Sequence, residues 1–459
     1  MYQINFSKPI HVHFIGIGGI SMSGLAKVLL DRGFTVSGSD RQKSPLTLSL
    51  EKDGAFIHYG QRAENITDDI DVVIYTAAIG KDNPEFARAS ELNIPMLTRA
   101  ELLGQMMKNY HDAIAVAGTH GKTTTTSMLA QILSDSGKDP TVSVGGILPS
   151  IGGNIRIGQS GVFLTEACEY TNSFLSFFPT VGVILNIEED HLDFFKDIED
   201  IRHSFRRFAE LLPMDGCLII NADTPDYEEI MRGLDCHVTT FSLEKEADYT
   251  AKDITWDSYG HASFTVYHHG KKLGSFFLKV PGLHNVSNAL AAIACARVFH
   301  ISPDEIAKSL SGFTGAERRF EYKGTIGGAT IIDDYAHHPS EITATLDAAA
   351  NYPHRKLWCV FQPHTYTRTA AFLNEFAKAL AAADEVVLAE IYAAREVNTI
   401  GITSEDLAEK ITQLGTPCRV LPSFDEIENY LLTSCEKGDL ILTMGAGDIV
   451  RVGEHLLGK

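Results

Sequence analysis

The feature that most constrains the fold is a repeated alternation of short apolar runs with amphipathic segments of helical spacing. It runs through residues 11–107, starts again after residue 109 and starts a third time near residue 324. Strands that alternate with helices along the chain form parallel sheets with crossover helices. Each restart therefore predicts a separate doubly wound α/β unit.

The chain length agrees with a division into several domains. A chain of 459 residues is too long for a single hydrophobic core. We predict three domains, at residues 1–108, 109–321 and 322–459. Residues 245–282 break the alternation because they read as a polar-edged antiparallel hairpin, so the central domain is predicted to carry an antiparallel addition.

Composition and charge exclude several functional classes. The formal net charge is −20, from 59 acidic and 39 basic side chains, which argues against a nucleic-acid partner because phosphate neutralisation needs a basic face. The sequence contains no apolar run of membrane-spanning length and no signal-like start, so we predict a cytoplasmic protein without a membrane partner. The seven dispersed cysteines favour free thiols over disulfides or a zinc site.

A glycine-rich string, AVAGTHGKTTTT at residues 115–126, joins a predicted strand to a predicted helix. Glycines in this context let backbone N–H groups point at phosphate oxygens, and the helix dipole adds to the attraction. Lys122 is predicted to reach the β- and γ-phosphates, and Thr123 to supply a magnesium ligand. The predicted nucleotide-binding residues are Gly118, Thr119, His120, Gly121, Lys122, Thr123 and Thr124. The plainer alternative is a strand–helix turn with a surface lysine, and the string is one residue shorter than a standard P-loop when counted from Gly118.

Polar residues follow the two predicted strands that come next in the central domain. Glu166 ends the run GVFLTEA, and Asn186, Asp190 and His191 follow the run VGVILNI. The carboxyl ends of parallel strands are where an open α/β sheet binds its ligand. We therefore expect metal or phosphate contacts from these residues, although strand-end caps are the plainer alternative. The neighbouring Glu188 and Glu189 are expected to be solvated loop charges.

A second glycine string, HFIGIGGISMSGLA at residues 13–26, is an imperfect dinucleotide fingerprint. The motif G-x-G-x-x-G places a glycine where this chain has Ser21. Asp40 ends the next predicted strand, near the distance where a ribose-binding acid belongs. The residues leave two ligands open, a nicotinamide dinucleotide and the diphosphate of a nucleotide sugar.

Seven motifs in this order resemble the ATP-dependent Mur ligases over nearly the whole chain. They are HFIGIGGISMSGLA, GTHGKTTT, NIEEDHLD, GLHNVSNALAA, ERRFE, DDYAHHPSE and FQPHTYTRT. The resemblance implies an α/β fold with a Rossmann-like N-terminal domain, a central P-loop ATPase-type domain and a Rossmann-like C-terminal domain. The N-terminal domain would bind a UDP-sugar, and the C-terminal domain would close over the site.

The resemblance also implies a reaction in peptidoglycan precursor synthesis. ATP would phosphorylate the lactyl carboxylate of UDP-N-acetylmuramate, and the amino group of L-alanine would attack the acyl phosphate to give an amide, ADP and phosphate. The implied cofactors are ATP and Mg²⁺, whose positive charge with Lys122 and arginine would offset the crowded anions. A monomer or homodimer is expected.

The resemblance assigns roles to particular positions of this chain. The implied catalytic residues are Lys122, Glu166, His191, Arg319 and Asp334, and the implied metal ligands are Thr123, Glu166 and His191. Further residues that would face ATP are Asn285, Asn288, Arg318, Arg319, Asp334 and Arg368, the last two from the third domain. The UDP-sugar would lie along Gly16, Gly18, Ile20, Ser39 and Asp40, with His191 near its reacting end.

Several of these positions have a plainer interpretation. The asparagines of HNVSN would serve as helix caps, ERRF would be a solvated linker, and His337 and His338 would only shape the turn before Pro339. The segment EACEYTNSFL departs from the commoner family pattern at Cys168, Tyr170 and Asn172. No lysine occurs between Lys196 and Lys245, so we predict no carbamylated lysine after the DHLD segment.

Three other functions remain open at the level of sequence. A recycling ligase would attach an intact tripeptide to the same UDP-sugar. An NAD(P)-dependent oxidoreductase would use the first glycine string for its cofactor. A regulatory or assembly ATPase would use the second string without small-molecule chemistry.

Overall fold

The computed structural model describes residues 2–76 and 78–459. The first sheet is parallel and has the strand order β3-β2-β1-β4-β5. Its strands are β1 (His11–Ile15), β2 (Thr35–Asp40), β3 (Phe56–Tyr59), β4 (Val72–Tyr75) and β5 (Met96–Thr98), and the helices are α1 (Ile20–Asp31), α2 (Pro45–Lys52), α3 (Pro84–Glu91) and α4 (Arg99–Met107). The strand order reverses between β1 and β4, so the glycine turn after β1 lies at a topological switch point, where such sheets bind ligands.

The central sheet has the strand order β15-β14-β13-β12-β11-β10-β6-β9-β7-β8. Its strands are β6 (Asp112–Ala117), β7 (Thr141–Leu148), β8 (Gly153–Arg156), β9 (Val162–Ala167), β10 (Val181–Ile184), β11 (Cys217–Asn221), β12 (His237–Ser242), β13 (Tyr249–Trp256), β14 (Ala262–His268) and β15 (Lys271–Leu278). The helices are α5 (Lys122–Asp135), α6 (Ile198–Ala209), α7 (Tyr227–Met231), α8 (Leu283–Val298) and α9 (Pro303–Gly312). Strand β6 lies between β10 and β9, which places the glycine string after β6 at a second switch point.

The third sheet has the order β16-β17-β21-β18-β19-β20, and β16 pairs antiparallel with β17 at its edge. Its strands are β16 (Glu321–Ile326), β17 (Ala329–Asp334), β18 (Leu357–Phe361), β19 (Glu385–Leu388), β20 (Cys418–Val420) and β21 (Leu440–Met444), and the helices are α10 (Pro339–Ala350), α11 (Tyr366–Ala371), α12 (Leu373–Leu380), α13 (Ser404–Gln413), α14 (Phe424–Ser434) and α15 (Val450–Leu456). Strands β17, β21 and β18 are parallel neighbours. The residues that follow β17 therefore leave the sheet at its carboxyl edge.

The predicted fold class is confirmed, since three α/β units follow one another along the chain and strands β13–β15 form the antiparallel addition to the central sheet. Six strands, β3, β7, β8, β11, β12 and β16, lie outside the segments that the sequence predicts as strands. The boundaries at 108/109 and 321/322 stay a prediction. No helix in the described part of the chain is long and apolar enough to cross a membrane.

Candidate active site

The glycine string after β6 forms a tight turn at the start of α5. Gly118 has φ +147° and Gly121 has φ +82°, values that side chains with a Cβ rarely adopt. The amide of Asn186 clamps the turn, because its Oδ1 accepts from the His120 N–H at 2.8 Å and its Nδ2 donates to the His120 carbonyl at 3.1 Å. Asn186, expected from the sequence to be a ligand contact, thus holds the shape of the turn.

The side chain of Lys122 is held by carbonyl groups of this turn and by Glu169. Its Nζ donates to the Thr119 carbonyl at 3.0 Å and to Glu169 Oε2 at 2.9 Å, and it also bonds the Gly118 carbonyl. Although burial opposes the charge, Glu169 raises the pKa of the Lys122 ammonium. Glu169 is only 2 % exposed and was missed by the sequence analysis, where its position three residues after Glu166 was the available signal.

Two of the three predicted magnesium ligands, Thr123 and Glu166, each lie against a glycine of β7. Glu166 Oε1 accepts from the Gly145 N–H at 2.6 Å. A Cβ at Gly145 would lie 2.9 Å from Glu166 Oε2, and one at Gly146 would lie 3.2 Å from Thr123 Cγ2, so two glycines of β7 keep the space around both side chains open. A hydroxyl and a carboxylate are the oxygen ligands that Mg²⁺ prefers.

The third predicted magnesium ligand, His191, lies near Glu169 and Asp190. Its Nε2 is 4.0 Å from Glu169 Oε1 and 3.7 Å from Asp190 Oδ2. Burial lowers the pKa of His191 despite these two carboxylates, which favours a neutral imidazole with a lone pair. The Tyr170 ring stacks on His191 at 4.4 Å between centroids, and its hydroxyl donates to Asp193 at 2.8 Å.

A cavity of about 280 Å³ lies between the central and third domains, next to the glycine turn. Of the residues predicted to bind the nucleotide, it is lined by His120, Gly121, Thr124, Asn285, Asn288, Arg319 and Asp334. Asn285 is not a helix cap, because α8 has Gly282 at its N-cap position and the Asn285 amide donates to the Pro281 carbonyl at 2.7 Å. The structure therefore brings together predicted residues from four separate motifs.

The two adjacent arginines of ERRF point to different places. Arg318 Nε donates to the buried Asp333 at 3.0 Å, and its other nitrogens donate to the carbonyls of Gly445 and Gly447 at 2.7 and 3.0 Å. Arg318 is absent from the cavity lining, whereas Arg319 is part of it. The expectation that Arg318 faces ATP is corrected, because its guanidinium is engaged by Asp333 and by two carbonyls of the third domain.

Asp334 is fixed at the end of β17 by backbone donors. Its Oδ2 accepts from the Phe320 N–H at 2.7 Å and its Oδ1 from the Ala336 N–H at 2.8 Å. Burial raises the pKa of Asp334 to about 6, and Arg319 opposes this rise. An acceptor held this rigidly at the cavity wall suits a ligand hydroxyl.

His120 connects the turn to helix α10 of the third domain. Its Nδ1 lies 3.1 Å from Glu341 Oε1, and its Nε2 lies 3.4 Å from Glu188 Oε2 and 3.0 Å from Ser340 Oγ. Burial opposes protonation, but Glu341 and Glu188 raise the pKa of His120 to about 10. Glu188 was expected to be a solvated loop charge; its side chain is 42 % exposed, but it also lines the cavity and pairs with His120. Glu189 is exposed as expected.

A second cavity, of about 640 Å³, opens beside His191 and is lined by residues of the central and third domains. Its lining includes Tyr170, Asp190, His191, His364, Arg368 and Arg395. Arg368 donates to Asp190 Oδ1 at 2.9 Å across the domain boundary, with both side chains buried. Arg368 was predicted to face ATP, but it lines this second cavity and not the nucleotide cavity, so its contact with ATP stays a prediction.

The glycine turn of the first domain has its own set of contacts. The Gly18 N–H donates to Asp40 Oδ2 at 2.8 Å, and a Cβ at Gly18 would lie 2.7 Å from the same oxygen. Ile20 is 56 % exposed at the start of α1. Ser39 is fully buried and its hydroxyl donates to Glu85 at 2.5 Å, so a direct contact of that hydroxyl with a UDP-sugar stays a prediction.

Comparison with known sequences places all three regions in one family. Residues 11–111 match the model described as the Mur ligase family catalytic domain, residues 116–296 match the Mur ligase middle domain, and residues 318–447 match the Mur ligase glutamate ligase domain. The chain belongs to the Mur ligase family. The family resemblance drawn from the seven motifs is thereby confirmed.

Individual relatives within the family are also similar over their whole length. A UDP-N-acetylmuramate–L-alanine ligase of Lachnospira eligens is 59 % identical, with full coverage of both chains. The crystal structure of UDP-N-acetylmuramate-alanine ligase MurC from Thermotoga maritima superposes with a TM-score of 0.81 at 31 % identity over 98 % of each chain. A murein peptide ligase from Psychrobacter arcticus is also similar, with a TM-score of 0.70 at 28 % identity over 98 % of each chain.

Proposed function

We propose that this Mur ligase joins L-alanine to the lactyl carboxylate of UDP-N-acetylmuramate at the expense of ATP, in peptidoglycan precursor synthesis. The observation that carries the proposal is full-length identity of 59 % to a ligase of that name, together with a site that fits the chemistry. The product amide forms through an acyl phosphate, since a free carboxylate is a poor acylating agent.

The nucleotide cavity and the glycine turn supply the ATP-binding groups of this proposal. Backbone N–H groups of residues 118–122 and the Lys122 ammonium would offset phosphate charge at the start of α5. Asn285, Asn288 and Arg319 face the same cavity and would hold the rest of the nucleotide. Asp334, with its raised pKa and two backbone donors, would accept from a ligand hydroxyl.

Mg²⁺ is proposed at Thr123, Glu166 and His191, which offer a hydroxyl, a carboxylate and a neutral imidazole. When bound, the ion neutralises charge on the phosphoryl groups and polarises the bond that breaks. Lys122 lies between Glu169 and the glycine turn. Its ammonium would stabilise the negative charge that develops on the transferred phosphoryl group. Arg368 enters from the third domain beside His191 and would help offset the carboxylates gathered there.

Incoming alanine is assigned to the second cavity, because that cavity adjoins His191 and contains Arg368 and Arg395 as cationic partners for a carboxylate. The Gly16–Ile20 turn of the first domain would hold the UDP diphosphate at the start of α1. Asp40 accepts from the Gly18 N–H of this turn, and the Ser39 hydroxyl donates to Glu85. We therefore propose that these two residues hold the shape of the turn and do not contact the ligand.

The recycling ligase is the second candidate, because the chain also resembles a murein peptide ligase at 28 % identity. The two functions differ in the amine that attacks the acyl phosphate. Free L-alanine needs only a small pocket, whereas a tripeptide needs an open channel to solvent. The higher identity to L-alanine-adding relatives favours alanine.

A coupled assay of ADP release tests the proposal. ADP should form only when ATP, Mg²⁺, UDP-N-acetylmuramate and L-alanine are all present, and mass spectrometry should detect the alanyl product. Faster turnover with L-alanyl-γ-D-glutamyl-meso-diaminopimelate than with L-alanine would assign the recycling reaction instead. ADP release without any UDP-sugar would contradict both.

We place the reaction in the cytoplasm, where ATP and UDP-sugars are available. The cysteines in the described residues are free thiols, which agrees with a reducing compartment. The monomeric or homodimeric state stays a prediction, to be checked by light scattering on the purified chain.

A further inference from the structure

The contact between the glycine turn and helix α10 contains a set of metal-ligating atoms separate from Thr123, Glu166 and His191. One ligand atom each from His120, Glu188 and His338 can be chosen so that all three lie within 4.8 Å of one another. The His120 and His338 rings are 4.9 Å apart between centroids. His120 and Glu188 belong to the central domain and His338 to the third.

One of these ligand atoms has no partner in the described protein. His338 is 6 % exposed, and its Nε2 is buried without a hydrogen bond among the described residues. Its Nδ1 lies 2.8 Å from Ser340 Oγ. A buried imidazole nitrogen without a partner costs free energy, and a metal ion at this position would satisfy it.

Both imidazoles also have the outer partners that metal-bound histidines use. Glu341 Oε1 accepts at 3.1 Å from His120 Nδ1, which is the carboxylate–histidine arrangement of metal sites. His120 Nε2 lies 3.0 Å from Ser340 Oγ and would exchange that contact for the metal. His338 Nδ1 lies 2.8 Å from Ser340 Oγ and accepts from the Ser340 N–H at 3.4 Å as the N-cap of α10. When Nε2 binds a metal, Nδ1 would carry the proton and donate to the Ser340 hydroxyl instead. The rings are thus oriented by second contacts, as in established metal sites.

We propose that His120, Glu188 and His338 form a zinc-binding site that bridges the central and third domains. Two imidazoles and one carboxylate, with one position left for water, match Zn²⁺, whereas Mg²⁺ prefers an octahedral shell of oxygen atoms. Small side-chain movements bring atoms 4.8 Å apart onto one ion with bonds of about 2.0–2.2 Å. His120 lies between Glu188 and Glu341. When the ion binds, it would replace the Nε2 proton of His120 and would itself supply the positive charge that the two carboxylates need.

The position of the site gives it a consequence for the domains. His120 and Glu188 line the nucleotide cavity, so an ion held between them and α10 links the wall of that cavity to the third domain. Zn²⁺ therefore stabilises the closed arrangement of the nucleotide-free enzyme. The proposal is independent of the amino acid that the enzyme joins, since binding is measured without substrates.

The test uses the full chain, freed of metal and nucleotide, titrated with Zn²⁺ by calorimetry and with Co²⁺ by visible absorption. We expect one ion per chain and a Co²⁺ spectrum of a tetrahedral nitrogen–oxygen site. His338→Asn, which keeps an N-cap acceptor for α10, and Glu188→Gln should each weaken binding at least about tenfold. The matched control, His354→Asn, removes a third-domain imidazole bonded to the Tyr352 carbonyl and should bind as the wild type does.

Thermal melting should show stabilisation by Zn²⁺ in the wild type and in His354→Asn, and a smaller effect in the two site variants. Circular dichroism checks that those variants are folded. Absence of binding, unchanged binding in both site variants, or thiolate charge-transfer bands in the Co²⁺ spectrum would each overturn the proposal, the last because it would assign the ion to cysteine.

Discussion

The glycine turn of the first domain is held by Asp40 of the same domain and by one contact from the central domain, where Asn154 donates to the Ile20 carbonyl at 3.2 Å, whereas the turn of the central domain also contacts the third domain. At Gly18 the partner is Asp40, from the next strand of the same sheet. In the central domain, Asn186 and Glu169 come from other strand ends and Ser340 comes from the third domain. The first turn is therefore formed before its ligand arrives, while the second depends on how the third domain is placed.

Under the proposed function, this difference would separate substrate binding from chemistry. A UDP-sugar bound by the first domain would stay bound until ATP and the amino acid arrive. The proposed reacting groups come from two domains, so they would assemble when the domains close, which would also remove water from the reacting phosphoryl group. Substitutions at one turn should therefore change the binding or reaction of one ligand and leave the other ligand unaffected.

The largest expected effect is at Lys122. Lys122→Ala should lower kcat by about a thousandfold, because one preorganised charge at a developing anion is worth about 10²–10³ in rate. Binding of UDP-N-acetylmuramate, measured by calorimetry, should change less than about twofold, since that ligand belongs to the first domain. Lys138→Ala, just beyond the other end of α5, is the control; loss of UDP-sugar binding in Lys122→Ala would contradict separate sites.

Substitution of Arg319 should affect ATP use, whereas substitution of Arg318 should affect the stability of the fold. Arg319→Ala removes a cation from the nucleotide cavity and should lower kcat/KM for ATP by roughly 10–100-fold, the value of a charged hydrogen bond. Arg318→Ala should instead lower the free energy of unfolding by about 3 kcal/mol, because it strips the buried Asp333 of its guanidinium partner. Steady-state kinetics and thermal melting on both variants check this. Equal effects in both assays would contradict the different roles of the two side chains.

Gly18 offers a smaller and more local test of the first turn. Gly18→Ala places a methyl group 2.7 Å from Asp40 Oδ2 and should raise KM for the UDP-sugar about tenfold, equivalent to 1.4 kcal/mol. KM for ATP should not change. Gly19→Ala is the matched control, because a Cβ there lies 3.6 Å from the nearest atom. Reversal of the two results would place the diphosphate elsewhere.

The smallest effect concerns the buried Glu85 behind the first turn. Burial raises the pKa of Glu85, but His13, whose Nε2 lies 3.8 Å from the carboxylate, and hydrogen bonds from Ser39 and Asn65 outweigh this and keep the pKa below its usual value near 4.5. The ionised carboxylate thus adds stability above pH 4.5 that is lost as the pH falls through its lowered pKa. Glu85→Gln should destabilise by about 1–2 kcal/mol at pH 7, with a smaller difference below pH 4.5.

Melting curves of both proteins between pH 3 and 7 measure this difference. A gap between the wild type and Glu85→Gln that widens towards acid would mean that Glu85 is not ionised in the folded protein. ATP binding at pH 7 should be unaffected, since the network lies within the first domain.

The sequence located most of the sheet strands and both glycine turns, because buried strands and turn glycines leave local patterns. It missed β3, an edge strand whose Phe56 is 66 % exposed and which therefore has little apolar signal, and also β11, although every residue of β11 is buried. It also could not separate Arg318 from Arg319. Arg318 has φ +59°, and this local backbone turn sends adjacent side chains to different surroundings.

Glu188 and Glu169 show the same limit for charged residues. Both follow buried strands in segments rich in acidic side chains, and nothing local distinguishes a solvated carboxylate from one that pairs with His120 or Lys122. Burial and partner decide that difference, and both depend on segments far away in the chain. His120 and Ser340, which lie within hydrogen-bond distance, are 220 residues apart.

The order of motifs and the alternation of apolar and amphipathic segments determined by themselves the family, the α/β architecture and the positions of the two glycine turns. These properties depend on short-range periodicity and on the backbone freedom of glycine, and both can be read from neighbouring residues in the sequence. Only the tertiary structure decided which charged side chains meet between domains, because electrostatic partners are chosen by distance and burial in space rather than by spacing along the chain.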